Sequence, residues 1–266
     1  MTDQGEHTLR PESAGLTDVG LKRTQNEDAT WWSDDAGLYV VADGMGGHAH
    51  GEVASALAVE TIAAQYAALN TEPAGRSPAE RLVDAIREAN RRVHTEAAHC
   101  LPSPEDRDTI VTGAGMATTV AALAISDRSA IIAHVGDSRV YRLRQGQLDL
   151  LTRDHSWAAM AASQFGLPVP ETSGFKHLLA RAVGLDPEVD VDVREEACQP
   201  GDLFLLCSDG LSNMVPDAQI KAILIAGAAL PVTCQALVAE ANRQGGRDNI
   251  SCLLVRIPVP PSHGMQ

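Results

Sequence analysis

Apolar residues gather in short runs and in longer, helically spaced ones. Short runs rich in β-formers predict strands at 37–42, 117–125, 129–135, 139–143, 202–207 and 250–257. The residues Arg144-Gln145-Gly146-Gln147 stand between two such runs and read as a hairpin turn. Two long segments read as helices, 52–69 and 78–99. The first carries Val53, Leu57, Ile62 and Tyr66 on one face. The second repeats Leu82, Ile86, Ala89 and Val93 at helical spacing. Ser77, Pro78 and Glu80 form a capping-box start for the second. Further helices are expected at 217–226 and 232–242. Residues 156–180 break the strand pattern and read as a surface insertion, and Pro102 and Pro104 mark a loop at 100–112.

The order is strands, paired helices, many strands, helices, strand, with no internal repeat. Strands joined by hairpins imply antiparallel sheets and not a βαβ alternation. The expected class is α+β, an α/β/β/α sandwich of two antiparallel sheets flanked by helix pairs. One domain is expected over 13–257, between a loose polar tail at 1–12 and a Pro-rich tail at 258–266.

Composition narrows the functions. Hydrophobic residues make up 44% and aromatics only 3%, so the core must be built mainly from Ala, Val, Leu and Ile. The net charge of −14 argues against nucleic acid or an anionic membrane as the main partner and suits a chain partly neutralised by divalent cations. Cys100, Cys198, Cys207, Cys234 and Cys252 form no C-x-x-C pair and read as buried free thiols, which points to a reducing cytoplasm. The first fifteen residues lack the apolar stretch of a signal peptide, and the run 222–233 is too short to span a membrane.

Four short blocks carry the candidate chemistry: Arg23-Thr24-Gln25-Asn26-Glu27-Asp28, Asp43-Gly44-Met45-Gly46-Gly47, Ser208-Asp209-Gly210 and Asp248-Asn249. Asp43 and Asp209 each end an apolar run and Asp248 opens one. Carboxylates at strand ends with little histidine around them suit hard, oxygen-loving cations such as Mg²⁺ or Mn²⁺. Singly, each block also reads as an ordinary turn or a solvated charged loop.

In order and content these blocks resemble the bacterial metal-dependent Ser/Thr protein phosphatases of the protein phosphatase 2C (PPM) type, over about 14–257. The resemblance implies the same α/β/β/α fold and a two-ion centre of Mn²⁺ or Mg²⁺. Asp43 would bridge the ions, Gly44 would give one its carbonyl oxygen, and Asp209 and Asp248 would join Asp43 on one metal. Asp137, in Gly136-Asp137-Ser138-Arg139, would help bind a third ion with Asp209. The competing reading there is a tight turn whose Arg139 pairs locally. Arg23 would grip substrate phosphate, and Glu27 and Asp28 would hold waters on the ions. Water activated between the ions would attack phosphoserine or phosphothreonine in line, without a covalent phosphoenzyme.

One departure concerns the proton donor. Where some members carry histidine two residues after the bridging aspartate, this chain has Met45, which leaves His48, a rim histidine, or water on the ions as candidates. His50 reads as a helix-entry residue. The insertion 156–180 matches the family's flap, with Lys176 and His177 able to face a substrate or simply solvent. Thr118-Thr119, Thr152-Arg153-Asp154-His155 and Arg181-Ala182-Val183-Gly184 read as structural. The family further implies phosphorylated proteins as substrates, an opposing Ser/Thr kinase, and a cytoplasmic monomer.

Other phosphate and hydrolase signatures fail. Cys207 is followed six positions on by Asn213, not Arg. Val140 stands where a G-x-S-x-G elbow needs Gly. His94 to His99 has the wrong spacing for H-E-x-x-H, and Leu21 stands where a P-loop needs Lys. The rival that survives is a phosphoprotein-binding module of the same fold without turnover. Hydrolysis of small phosphoesters also stays open.

Overall fold

The structure is a computed structural model that describes residues 10–45, 50–71, 75–99, 116–165 and 178–260. Two antiparallel sheets stack face to face. The first runs in the order β1 (Glu12–Asp18), β11 (Ile250–Arg256), β10 (Leu203–Cys207), β7 (Arg139–Arg144), β8 (Gln147–Leu150). The second runs β2 (Asp28–Ser33), β3 (Leu38–Met45), β5 (Val120–Ser126), β6 (Ser129–Val135), β9 (Asp192–Ala197), with the short β4 (Ala117–Thr118) paired to the end of β3. Helices α1 (Gly51–Asn70) and α2 (Pro78–His99) cover the outer face of the second sheet. Helices α5 (Asp217–Ile225) and α6 (Leu230–Arg243), with the one-turn α4 (Asp209–Ser212), cover that of the first. The expected α/β/β/α sandwich is present.

The continuous apolar runs have a simple cause: the inner strands are buried on both faces. In β3, Leu38, Val40 and Ala42 face α1 and α2, while Tyr39 and Val41 enter the layer between the sheets. In β10, Leu203, Leu205 and Cys207 face the other helix layer, while Phe204 and Leu206 meet Tyr39, Val41 and Leu253 between the sheets. Period-2 alternation thus assigns side chains to two different cores.

The local signals mostly hold. α2 begins at Pro78, and Ser77 Oγ accepts from the Glu80 amide at 3.2 Å while the Ser77 amide donates to Glu80 Oε2 at 2.8 Å. The 144–147 turn places Gln145 at φ 50° and Gly146 at φ 77°, the left-handed pair of a two-residue hairpin. Cys198, Cys207, Cys234 and Cys252 are buried free thiols; Cys100 lies outside the described residues.

Three expectations need correction. β1 starts at Glu12, inside the stretch expected to be a tail. The core face of α1 keeps the expected Ile62 and Tyr66 but not Val53, which is 41% exposed; Ala54 and Ala58 are buried in its place. That helix is apolar nearly all round, so its pattern does not single out one face, and the small alanines let it lie close to the sheet. Part of the insertion is regular: α3 (Trp157–Phe165) occupies its first half. The loop at 100–112 lies outside the described residues.

Candidate active site

The site is built where β3 runs out of its apolar sequence. Asp28 on β2 and Asp43 on β3 are direct register partners. Thr119 Oγ1 accepts the Asp43 amide at 3.0 Å. The Asp43 carbonyl accepts Thr118 Oγ1 and the Thr119 amide, both at 2.9 Å. The pair that reads as structural therefore fixes the main chain of the central aspartate.

Gly44 must be glycine for space. A Cβ there would meet the Gly51 carbonyl oxygen at 2.0 Å and the Glu27 carbonyl oxygen at 2.6 Å. The Glu27 carbonyl accepts the Gly44 amide at 3.0 Å and Ser55 Oγ at 2.6 Å, so β2, β3 and the first turn of α1 are locked around it.

The other blocks come from the facing sheet. Ser208, at the end of β10, donates to Asp28 Oδ2 at 2.7 Å and accepts the Ser251 amide at 2.9 Å. Asp209 opens α4, where Asn213 Nδ2 reaches its Oδ2 at 3.0 Å. Asp248 precedes β11, and Arg23 Nη2 lies 2.9 Å from its Oδ2. Arg23 Nη1 is 3.6 Å from Glu27. Asp137 follows Gly136 in the β6–β7 turn. Arg139 there does pair, bidentately with Asp154 at 2.9 and 2.7 Å. The structure thus brings Arg23, Glu27, Asp28, Asp43, Gly44, Asp137, Asp209 and Asp248 together.

Electrostatics identify what the cluster lacks. Burial, then repulsion from Asp28, Asp209, Asp137 and Asp248, pushes the Asp43 carboxyl well above the usual range. Burial with the charges of Asp209 and Asp248 raises Asp28 to about 7. Burial with Asp209 and Asp154 raises Asp137 to about 7. Among the described residues, Asp28 Oδ1 and Glu52 Oε2 are buried acceptors without a hydrogen-bond partner. Crowded, part-buried carboxylates beside a glycine-lined carbonyl, two of their oxygens buried without a hydrogen-bond partner, fit a divalent cation: the donors are all oxygen and their excess charge is negative.

Glu52 was not legible as part of this site. It reads only as an acidic residue in a helix's first turn, yet its charge adds to the burial that raises Glu27. Met45 offers no proton, and Gly46, Gly47 and His48 lie outside the described residues, as do Lys176 and His177.

A second cluster, His134, His155 and Asp192, also offers three ligand atoms within 4.8 Å of one another. It does not suit a metal. The two rings stack at 4.6 Å and 25°, so their in-plane lone pairs run side by side and do not converge. Arg181 Nη1, 2.6 Å from Asp192 Oδ1, already supplies the cation.

Among the described residues no helix is long and apolar enough to cross a membrane. A profile of the family described as Protein phosphatase 2C matches residues 22–254. Serine/threonine phosphatase stp of Listeria monocytogenes is 34% identical over 244 residues, 90% of this chain and 93% of its own. Protein phosphatase PhpP of Streptococcus pneumoniae is 33% identical over 251 residues, 90% and 95% of the two chains. Among solved structures, the Mycobacterium tuberculosis phosphatase PstP/Ppp superposes with a TM-score of 0.78 at 30% identity, covering 94% of this chain and 99% of that one. The PstP catalytic domain in complex with two manganese ions gives 0.76 at 32% identity, covering 94% and 99%. With its profile matching most of the residues and its acidic cluster folded into one site, the chain belongs to the protein phosphatase 2C family.

Proposed function

We propose that Asp43, Gly44, Asp209 and Asp248, joined by Asp137, hold the metal of this enzyme and that Arg23 receives the substrate phosphate. The chain is a serine/threonine protein phosphatase that hydrolyses phosphoproteins and depends on a divalent metal. The observation that carries the residue assignment is the group of part-buried carboxylates around Gly44, two of whose oxygens, on Asp28 and Glu52, are buried without a hydrogen-bond partner.

Bound there, the metal supplies charge to the phosphoryl oxygens and makes water acidic near neutral pH. The protein's own part is positional. Thr118 and Thr119 stop the Asp43 backbone from shifting. Asp28, with one oxygen on Ser208 and the other free, orients water on the side facing the cluster, and Glu27 does so beside Gly44. Arg23 stays charged at any working pH; its side chain is 46% exposed and can turn its remaining N–H groups to an arriving phosphate. We assign two ions to Asp43, Gly44, Asp209 and Asp248 and a third to Asp137 with Asp209. Mn²⁺ and Mg²⁺ both match this oxygen set. Its physiological counterpart is a Ser/Thr kinase, in keeping with bacterial relatives that are themselves Ser/Thr phosphatases.

The test is hydrolysis of a phosphothreonine peptide by wild type and Asp209→Asn, in Mn²⁺ and in EDTA. Turnover that needs Mn²⁺ and falls at least about 100-fold in the variant supports the assignment. Wild-type protein that binds Mn²⁺ without turnover overturns it in favour of a phosphoprotein-binding module.

A further inference from the structure

The Gly136-Asp137 turn and the two stems of the insertion meet at one residue, His155, whose main chain bonds both the turn and the second stem and whose imidazole bonds the turn. Its amide donates to the Gly136 carbonyl at 2.9 Å, and the Gly136 amide returns a bond to His155 Nδ1 at 3.1 Å. The Ala180 amide donates to the His155 carbonyl at 2.8 Å, the Trp157 amide donates to the Leu178 carbonyl at 2.9 Å, and Ser156 bridges Leu179. Both stems therefore meet at His155, and His155 grips the residue before Asp137.

The ring is held from behind as well. Because Nδ1 accepts the Gly136 amide, the neutral ring's proton is assigned to Nε2, which lies 3.3 Å from Asp192 Oδ2 and 3.3 Å from Arg181 Nη1. Arg181, the residue after Ala180, binds the other Asp192 oxygen at 2.6 Å and the Asp190 carbonyl at 3.1 Å. His134 stacks on the ring's face. The His155 side chain is 6% exposed. The turn it holds has little slack. Gly136 sits at φ +102°, and a Cβ there would meet Thr119 Cγ2 at 2.6 Å. Thr119 is the same residue that fixes the Asp43 amide, and it bonds Ser138 Oγ at 2.7 Å. A displacement of the stems is thus passed by His155 to the Asp137 turn and not absorbed in a loop.

We propose that His155 is a positioning residue that couples the stems of the 156–180 insertion to the Asp137 turn, so that the place of the Asp137 carboxylate depends on how the stems are held. Its role in metal binding rests on the assignment of Asp137 made above, whereas the mechanical coupling does not.

Two measurements separate these. The first is hydrogen exchange of the Gly136, Trp157 and Ala180 amides in full-length metal-free wild type, His155→Ala and His155→Asn. Coupling predicts that all three amides exchange at least about 10-fold faster in His155→Ala, while the Leu123 and Leu206 amides of the interior strands do not change. Asn, whose Oδ1 can take the place of Nδ1, restores at least part of the Gly136 protection. A Gly136 amide that is no faster in either variant, or that rises while Ala180 stays protected, overturns the proposal. The Asn variant also serves if Ala does not fold. The second is the Mn²⁺ binding isotherm of wild type, His155→Ala, Asp137→Asn and the double variant. The weakest site loses about fivefold in affinity in His155→Ala, and the double variant is no worse than Asp137→Asn alone. Independent, multiplicative losses overturn the link to Asp137. Coupled amides with an unchanged isotherm in Asp137→Asn would instead reject Asp137 as a ligand and leave the coupling standing.

Discussion

Asn249 shows how far the site depends on side chains that touch no substrate. It is 3% exposed. Its Nδ2 donates to the Val19 carbonyl at 3.0 Å and the Gln25 carbonyl at 2.9 Å, and its Oδ1 accepts the Glu27 amide at 2.8 Å. One amide thereby ties the loop bearing Arg23 and Glu27 to the strand after Asp248. Alanine leaves two carbonyls and one amide without partners, a loss of about 2–4 kcal/mol. Aspartate fills the volume but faces both carbonyls with an acceptor, so Asn249→Asp is expected to be no better. Urea unfolding in EDTA checks this apart from catalysis, and a loss under about 1 kcal/mol would show the clamp to be dispensable. The aspartates were legible only as an ordered set: each alone reads as a turn residue, and the four blocks in family order point to a metal site. Thr118, Thr119, Ser208, Ser251 and Glu52 were not. A hydroxyl or a helix-turn carboxylate has many uses, and only the meeting of β3, β4, β10 and β11 selects one.

Among the strands, legibility follows position in the sheet. β3, β5, β6, β7, β10 and β11 are interior, buried on both faces, and stand out as apolar runs. β1, β2 and β9 are edges. Glu12, Asp28 and the Arg194-Glu195-Glu196 stretch interrupt any alternation there, and such charges suit strands that must not pair with another molecule. The short strand β8 is the fourth edge, visible only through its hairpin turn. Polar links also bind these layers. Arg144, ending β7, grips Asp202 ahead of β10 through two bonds of 2.7 Å and adds a third to the Ala197 carbonyl of β9. The Asp202 side chain is 1% exposed. Arg144→Ala leaves it charged and buried, at a cost of about 3–5 kcal/mol. Asp202→Asn in the same background removes the stranded charge and is expected to recover part of the loss. Equal urea midpoints for the single and double variants would deny that the buried charge is the cause.

The fold carries a net charge of −14 and concentrates part of it at one buried point, so its stability must respond to protons and metal together. Asp28 and Asp137 rise from 3.8 to about 7, which makes each ionised form costly in the metal-free fold. Their contribution is present below the unfolded value and is lost as pH rises through about 7. His155 falls from 6.5 to about 4 because burial, His134 and Arg181 disfavour its charged form. Its contribution is present above 6.5 and is lost as pH falls towards 4. Between pH 5 and 7.5 the two effects oppose. At about 1.4 kcal/mol for each pH unit between folded and unfolded values, the raised carboxyls Asp28, Asp137 and Asp43 outweigh the histidines His155 and His134, both lowered chiefly by burial. EDTA-treated protein is therefore expected to gain stability on acidification from pH 7.5 to about 5.5. Saturating Mn²⁺ must change the sign. Cation binding requires the carboxylates ionised, so their penalty is offset while the histidine effect and weakening metal affinity remain, and acidification then destabilises. Thermal unfolding across this range, with and without Mn²⁺, should give slopes of opposite sign. Parallel slopes would mean that Asp28 and Asp137 are not part of the ion-binding charge.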